Sequence, residues 1–250
     1  MSLDGKICIV TGGAGGLGLE IAKELVRKSA TVIITSRKKS KLQKACNLIG
    51  ENSYGFELDV VNTKSIVQFI KRISQDFDTV DVLVNNAGFP FERKLWFKNV
   101  HDITYTELLN VIQVDLIGSF RVTKEILKIM MKRRKGVIIN IASTPAISGH
   151  SYGSPYSIAK AGLIGLTKHI ALEYGKYNIR AYSVALGDIE TQAMRQSLSK
   201  SELQRARNEN TLKRLGRPEE IARSIVSLAS ENFSFSTGNT LIIDGGKVVI

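Results

Sequence analysis

The chain has 250 residues, with 35 lysines and arginines against 23 aspartates and glutamates, a formal charge of +12. That length suits a full core in one α/β domain, and no apolar run reaches the roughly 18 residues that a membrane span needs. Basic residues are scattered apart from Arg37 Lys38 Lys39 and Lys132 Arg133 Arg134 Lys135; with no nucleic-acid module and no interleaved aromatics, they point to anionic small molecules or an acidic partner.

The opening Met1 to Lys6 runs straight into a strand pattern without a basic segment, apolar core and cleavage site, so a cytoplasmic location is expected. Cys8 and Cys46 have no metal-ligand spacing and no partner pattern, and no metal is expected. Lys6 to Val10 is an apolar run of strand length, followed by Thr11 to Gly18 (TGGAGGLG) and an amphipathic stretch with Leu19, Ile21, Ala22, Leu25 and Val26 on one stripe. Strand, glycine turn and helix form the context of a phosphate-binding turn, in which glycine lets the backbone approach a pyrophosphate at a helix N-terminus. The glycines fit two frames, Gly13-x-Gly15-x-x-Gly18 or Gly12-x-x-x-Gly16-x-Gly18, with Ala14, Gly15 and Leu17 inside the turn in either case.

A second strand, Thr31 to Thr35, leads to Ser36 Arg37 Lys38. A site for NAD places a carboxylate near this position for the ribose hydroxyls. None is present, and Arg37 and Lys38 suit the extra phosphate of NADP(H); NAD(H) is the alternative. Strand runs at Tyr54 to Leu58 and Val80 to Val84 alternate with helical patterns at 38–49 and 62–76, which implies a parallel sheet with right-handed crossovers. Ligands bind beyond the carboxyl ends of such strands, where Asp59 Val60 and Asn85 Asn86 Ala87 Gly88 stand. The loop 89–103 is aromatic and rimmed with charge, either lining a pocket or packing on the surface. From 104 to 135 the pattern is helical, with an apolar face wide enough for the sheet and another subunit. Gly136 is expected to stop it, and the cations at 132–135 suit the negative helix end or an acidic partner.

Val137 to Ala142 reads as a buried strand closed by Ser143. Tyr156 and Lys160 lie four apart on a helix whose first turn carries Pro155 behind a candidate cap, Ser154. A phenol ordinarily ionises near pH 10, but an ammonium about 4 Å away favours the phenolate by roughly 4 kcal/mol at an effective dielectric near 20. The pair therefore fits proton transfer, with Ser143 available to hold a substrate oxygen. A strand from Ile179 to Ala185 precedes Gly187. The polar, weakly helical segment 188–211 is expected to form a lid. A helix from Pro218 through Ala229 and a last strand, Thr240 to Asp244, end at Gly245 Gly246.

Taken together, Thr11-Gly12-x-x-x-Gly16-x-Gly18, Asn85-Asn86-Ala87-Gly88, Ser143 thirteen residues before Tyr156, Tyr156-x-x-x-Lys160 and Asp244-Gly245-Gly246 resemble, in order and over the whole length, the short-chain dehydrogenase/reductases. The resemblance selects the Gly12, Gly16, Gly18 frame and implies a single-domain α/β fold over 1–250, a Rossmann-type doubly wound sheet of seven mainly parallel strands flanked by helices. It implies Tyr156 as general acid/base, Lys160 as its partner and a nicotinamide-ribose ligand, and Ser143 as the orienter of the substrate oxygen. Asp59, Val60 and Asn86 become adenosine-side contacts, with Ala87 and Gly88 beside the ribose, while Gly187, Ile189 and Thr191 face the nicotinamide. The chain departs from the family pattern at Asp115, where asparagine is usual in a proton relay, and at Ala159, Tyr182 and Leu186. Within the family the general likeness is to 3-oxoacyl-acyl-carrier-protein reductases, which implies hydride transfer between NADP(H) and a carbonyl or secondary alcohol, an acyl carrier protein as an acidic partner, and a homotetramer. A sugar or polyol dehydrogenase and a cofactor-binding protein without turnover are the rival expectations.

Overall fold

The computed structural model describes residues Ser2–Val249. Seven strands, β1 (Ile7–Val10), β2 (Thr31–Ser36), β3 (Ser53–Glu57), β4 (Val82–Asn85), β5 (Gly136–Ser143), β6 (Ile179–Leu186) and β7 (Thr240–Ile243), form one sheet in the order 3-2-1-4-5-6-7. Every pairing is parallel, because each strand returns through a crossover that packs on a sheet face. Chain order reverses between β1 and β4, opening a crevice at their carboxyl ends.

Side chains alternate across the sheet and both faces are covered, so the central strands are apolar in runs rather than at every second position, with Asn85 and Asn140 as buried polar exceptions. Cys8, Val10, Val32, Ile34, Val84 and Ile139 pack on one side with α1 (Gly16–Arg27), α2 (Lys39–Ile49) and a later helix, Pro218–Ala229. Ile9, Ile33, Leu83 and Ile138 face the other side, against α3 (Thr63–Asp76) and the helices between β4 and β6. Each fully buried Ile or Leu contributes roughly 1.5–3 kcal/mol. Cys8 and Cys46 are free thiols, the former buried in this packing.

The segment after β4 holds a short helix, α4 (Arg93–Trp96), inside the aromatic loop, and then α5 (Tyr105–Ile112) and α6 (Ser119–Arg133). The sequence predicts one uninterrupted helix over 104–135. The structure joins α5 to α6 through a π-helical segment, Gln113–Gly118, with Asp115 inside it, and Gly118 lets that segment lie against Val60, since a Cβ there would stand 2.5 Å from Val60 Cγ2. Two terminal expectations are corrected. Arg134, not Gly136, ends α6 in the left-handed conformation, and Gly136 starts β5 with Met130 packed on its Cα. The next helices are α7 (Pro145–Ser148) and α8 (Ser154–Tyr174), whose cap position is Gly153 in the left-handed region instead of Ser154. Segment 188–211 contains two helices, α9 (Gln192–Ser197) and α10 (Lys200–Asn208), the second closed by a capping box between Ser199 and Glu202. The helix Pro218–Ala229, α11, completes the layer. No helix is long and apolar enough to cross a membrane among the described residues.

Candidate active site

The glycine turn sits at the carboxyl end of β1. Three of its glycines are required by contact: a Cβ on Gly12 would stand 3.0 Å from Ala87 Cα, one on Gly13 2.7 Å from Ile34, and one on Gly18 2.5 Å from the Asn86 amide. Gly15 and Gly16 instead face open space, Gly16 with a positive φ that favours glycine. Helix α1 begins here without a side-chain cap and without an acidic residue in its first turn, so its leading N–H groups are presented to whatever binds. The cradle, with Ala14 and Leu17 in its wall, fits a pyrophosphate. Asn86, expected on the adenosine side, donates its side-chain amide to the Thr11 carbonyl at 2.9 Å and so holds the turn in shape.

At the end of β2, Ser36 accepts the Lys38 N–H at 3.2 Å, while Arg37 and Lys38 are exposed and make no ion pair among the described residues. Asp59 follows β3 with one oxygen accepting the Val61 N–H at 3.0 Å, beside Val60. The ends of β1, β2 and β3 thus carry the glycine turn, the cations and the carboxylate along one edge of the sheet.

The other half of the crevice is organised by β5, β6 and α8. Ser143 ends β5, buried, its hydroxyl donating to the Leu186 carbonyl at 3.2 Å. One turn of α8 separates Tyr156 from Lys160, whose ammonium lies 5.4 Å from the centre of the phenol ring and donates to the Ile141 carbonyl at 3.0 Å. Behind it stands Asp115, 1% exposed. One carboxylate oxygen accepts a short hydrogen bond from the Phe89 N–H, and the other faces Lys160 Nζ at 3.3 Å as an ion pair without directed hydrogen-bond geometry. Burial alone pushes the Lys160 ammonium down, yet the Asp115 carboxylate and the Tyr156 oxygen together hold it above the ordinary lysine value. The Asp115 carbonyl accepts the Ser119 hydroxyl at 3.0 Å across the π-helical turn.

Ser143 and Tyr156 open into a cavity of about 610 Å³, which Gly187, Ile189 and Thr191 also line. The Thr191 hydroxyl caps α9 by accepting the Met194 N–H at 3.2 Å. Ala87 and Gly88 lie between this cavity and the glycine turn, the Gly88 Cα close enough that a Cβ would meet Asp115 Oδ1 at 3.5 Å. No group of three potential metal ligands occurs among the described residues. Three features escaped sequence reasoning. Trp96 packs on Tyr156, Arg93 ties loop 89–103 to α10 through Glu202, and Lys247 binds both Asp188 and Glu209 at the two ends of the predicted lid. The aromatic composition of 89–97 was the available signal for the first; the other two are contacts between residues 109 and 59 or 38 positions apart.

Residues 12–247 match a family model described as enoyl-(acyl carrier protein) reductase. The chain is 36% identical over its whole length to the whole 3-oxoacyl-[acyl-carrier-protein] reductase FabG of Vibrio cholerae, and 35% identical, again over the full length of both, to that of Thermotoga maritima. A solved short chain dehydrogenase/reductase family protein superposes with a TM-score of 0.89 at 32% identity, covering 98% of each chain. The protein belongs to the short-chain dehydrogenase/reductase family. As a member it is an oxidoreductase that moves a hydride between a nicotinamide cofactor and a carbonyl or secondary alcohol carbon, and the crevice of this short-chain dehydrogenase/reductase supplies both a phosphate cradle and a tyrosine beside a cation.

Proposed function

We propose that the enzyme uses NADPH to reduce the 3-oxo group of an acyl thioester, as a homotetramer. The observation that carries this reading is Tyr156 and Ser143 opening into one cavity with Lys160 and Asp115 behind them. The cofactor, when bound, supplies the hydride. Ser143 turns its hydroxyl from the Leu186 carbonyl to the substrate oxygen, and Tyr156 gives that oxygen a proton as it gains charge. Lys160 holds the resulting phenolate through its field and, on its free side, the nicotinamide ribose. Tyr156 regains the proton from solvent. Gly12, Ala14, Gly15, Gly16, Leu17 and Gly18 hold the pyrophosphate; Asp59, Val60, Ala87 and Gly88 flank the adenosine and ribose, with Asn86 bracing the turn; Gly187, Ile189 and Thr191 border the nicotinamide.

Cofactor choice rests on Arg37 and Lys38, exposed and without a carboxylate partner among the described residues, beside Ser36. The 3-oxoacyl substrate is favoured by the full-length likeness to the two reductases. The cations at Lys132 to Lys135 bear on a carrier-borne substrate less directly than the sequence suggests. They lie at the amino end of β5, roughly 25 Å of strand from Ser143, so a carrier seated there does not face its own subunit's cavity. Titration by fluorescence is expected to show NADPH bound about tenfold or more tightly than NADH, with the order reversed in Arg37→Asp. Equal affinities in the unaltered enzyme count against NADPH. Oxidation of NADPH should follow addition of a 3-oxoacyl thioester, and turnover confined to free polyols would instead select the polyol dehydrogenase reading.

A further inference from the structure

Trp96, the chain's only tryptophan, is seated more firmly than a loop residue at a pocket rim requires. Its carbonyl accepts the Gly153 N–H at 2.9 Å. Its ring lies on the Gly153 Cα, where any Cβ would stand 2.5 Å from Cζ3, and Gly153 has the positive φ that glycine tolerates. The ring centre is 5.6 Å from that of Tyr156, at an interplanar angle of 62°, 5.6 Å from His150 and 5.8 Å from Phe91. These are edge-to-face and tilted contacts of the kind that aromatic quadrupoles favour. The wall is therefore held in place before any substrate arrives, and it is continuous with the phenol that meets the reacting oxygen.

The same cavity is lined from the lid by Met194 and Leu198, both half-buried. A group attached to a carbonyl carbon whose oxygen is at the Tyr156 hydroxyl enters a cavity to which Trp96, Met194 and Leu198 contribute apolar surface and Glu202, Arg205 and Lys247 charged groups. A saturated chain gains only the burial of its area there. A flat ring gains that and the directed contact with Trp96, worth roughly two- to tenfold in affinity for each aromatic pair. We propose that Trp96 is the specificity-determining residue of the cavity, and that the substituent on the reacting carbonyl is an aromatic or conjugated ring. The inference rests on the reductase reading above and names its substrate class.

Because Trp96 is the only tryptophan, its emission reports this contact without any substitution. The enzyme with NADP⁺ bound, which cannot reduce a ketone, is titrated with the N-acetylcysteamine thioesters of 3-oxo-3-phenylpropanoate and of 3-oxobutanoate. The expected result is a saturable change in Trp96 emission, with the phenyl compound bound about tenfold more tightly. With NADPH, the ratio of kcat/KM for phenyl over methyl should fall about tenfold in Trp96→Leu and be largely kept in Trp96→Phe. Equal binding of the two thioesters, or a ratio unchanged in Trp96→Leu while both are still reduced, overturns the role of Trp96 and leaves the reductase reading intact. If the unaltered enzyme reduces neither thioester with NADPH, the reductase reading fails and takes this inference with it.

Discussion

Asp115 replaces an amide of the family pattern with a charge, and the structure spends both of its oxygens: one on the Phe89 N–H, the other opposite the Lys160 ammonium. A carboxylate in that position keeps Lys160 charged and also offsets part of the field that the ammonium exerts on Tyr156. Asp115→Asn retains a carbonyl acceptor for Phe89 and removes the charge. We expect the variant to keep substantial activity and to show a lower apparent pKa in the pH profile of alcohol oxidation, because more of the ammonium's field then favours the phenolate. An unchanged profile would show that the ion pair does not reach the chemistry. Asp115→Ala, in contrast, leaves a buried cation without its partner, and denaturant unfolding should show a loss of about 3–5 kcal/mol.

The two helices that follow β6 are tied to the rest of the molecule at identifiable points, which gives the proposed lid physical content. Lys247 bridges Asp188 at 3.0 Å and Glu209 at 2.7 Å, clasping the segment where it leaves the sheet and where it returns. On the opposite side, both guanidinium nitrogens of Arg93 reach the Glu202 carboxylate, one of them at 2.7 Å. That hydrogen bond first, and then the bond from the Ser199 backbone, hold the Glu202 carboxyl at about 2, below its ordinary value of 4.5. A depressed folded-state value places the latch's contribution fully above the ordinary carboxyl value and removes it as pH falls through about 2. Hydrogen exchange across α10 should thus be insensitive to the latch's titration from pH 7 to about 5 and lose protection on further acidification. In Arg93→Ala, exchange of α10 at pH 7 should already be about two- to fivefold faster, as for an exposed pair, and the further loss on acidification should be smaller, because the Arg93 bond is the largest cause of the depressed Glu202 value. Identical exchange in both proteins would place the closure of the cavity elsewhere.

The assembled molecule leaves apolar side chains on the surface that its own packing does not use. Tyr105 and Ile158 are 74% and 52% exposed on α5 and α8, and Leu172 is 87% exposed further along α8. Phe120 adds to the same group of helices, while Phe235 and Leu241 stand out by the last strand. Two separate apolar faces are what a tetramer with two kinds of two-fold contact requires. Light scattering at micromolar concentration is expected to give four times the chain mass, and a Phe120→Glu, Ile158→Glu variant should fall to a smaller species with its circular dichroism retained. A monomer mass for the unaltered chain would contradict the proposal. Assembly also decides whether the cations at 132–135, remote from their own subunit's cavity, approach that of a neighbour.

Much of this arrangement was legible before any coordinates, because it depends on local pattern and on the sense of parallel crossovers. The continuous apolar strands, the glycine turn directly after β1 and the four-residue spacing of Tyr156 and Lys160 each follow from a repeat of two or of 3.6 residues. Parallel pairing then brings the strand ends together at one edge. What the linear pattern lacked was the effect of neighbours on conformation. The π-helical register around Asp115 arises where α5 and α6 meet Val60 and α8, and Gly153 rather than Ser154 takes the cap position, with the Trp96 ring lying where a side chain at 153 would stand. Asn86 turned inward to the Thr11 carbonyl for a similar reason, since β1 and β4 are adjacent in the sheet though 75 residues apart in the chain. The sequence by itself determined the sheet, the glycine turn after β1 and the one-turn spacing of Tyr156 and Lys160. Only the tertiary structure decided which charges meet, Asp115 with Lys160 and Arg93 with Glu202, and which ring walls the cavity, because these depend on distances across folded elements that no periodicity encodes.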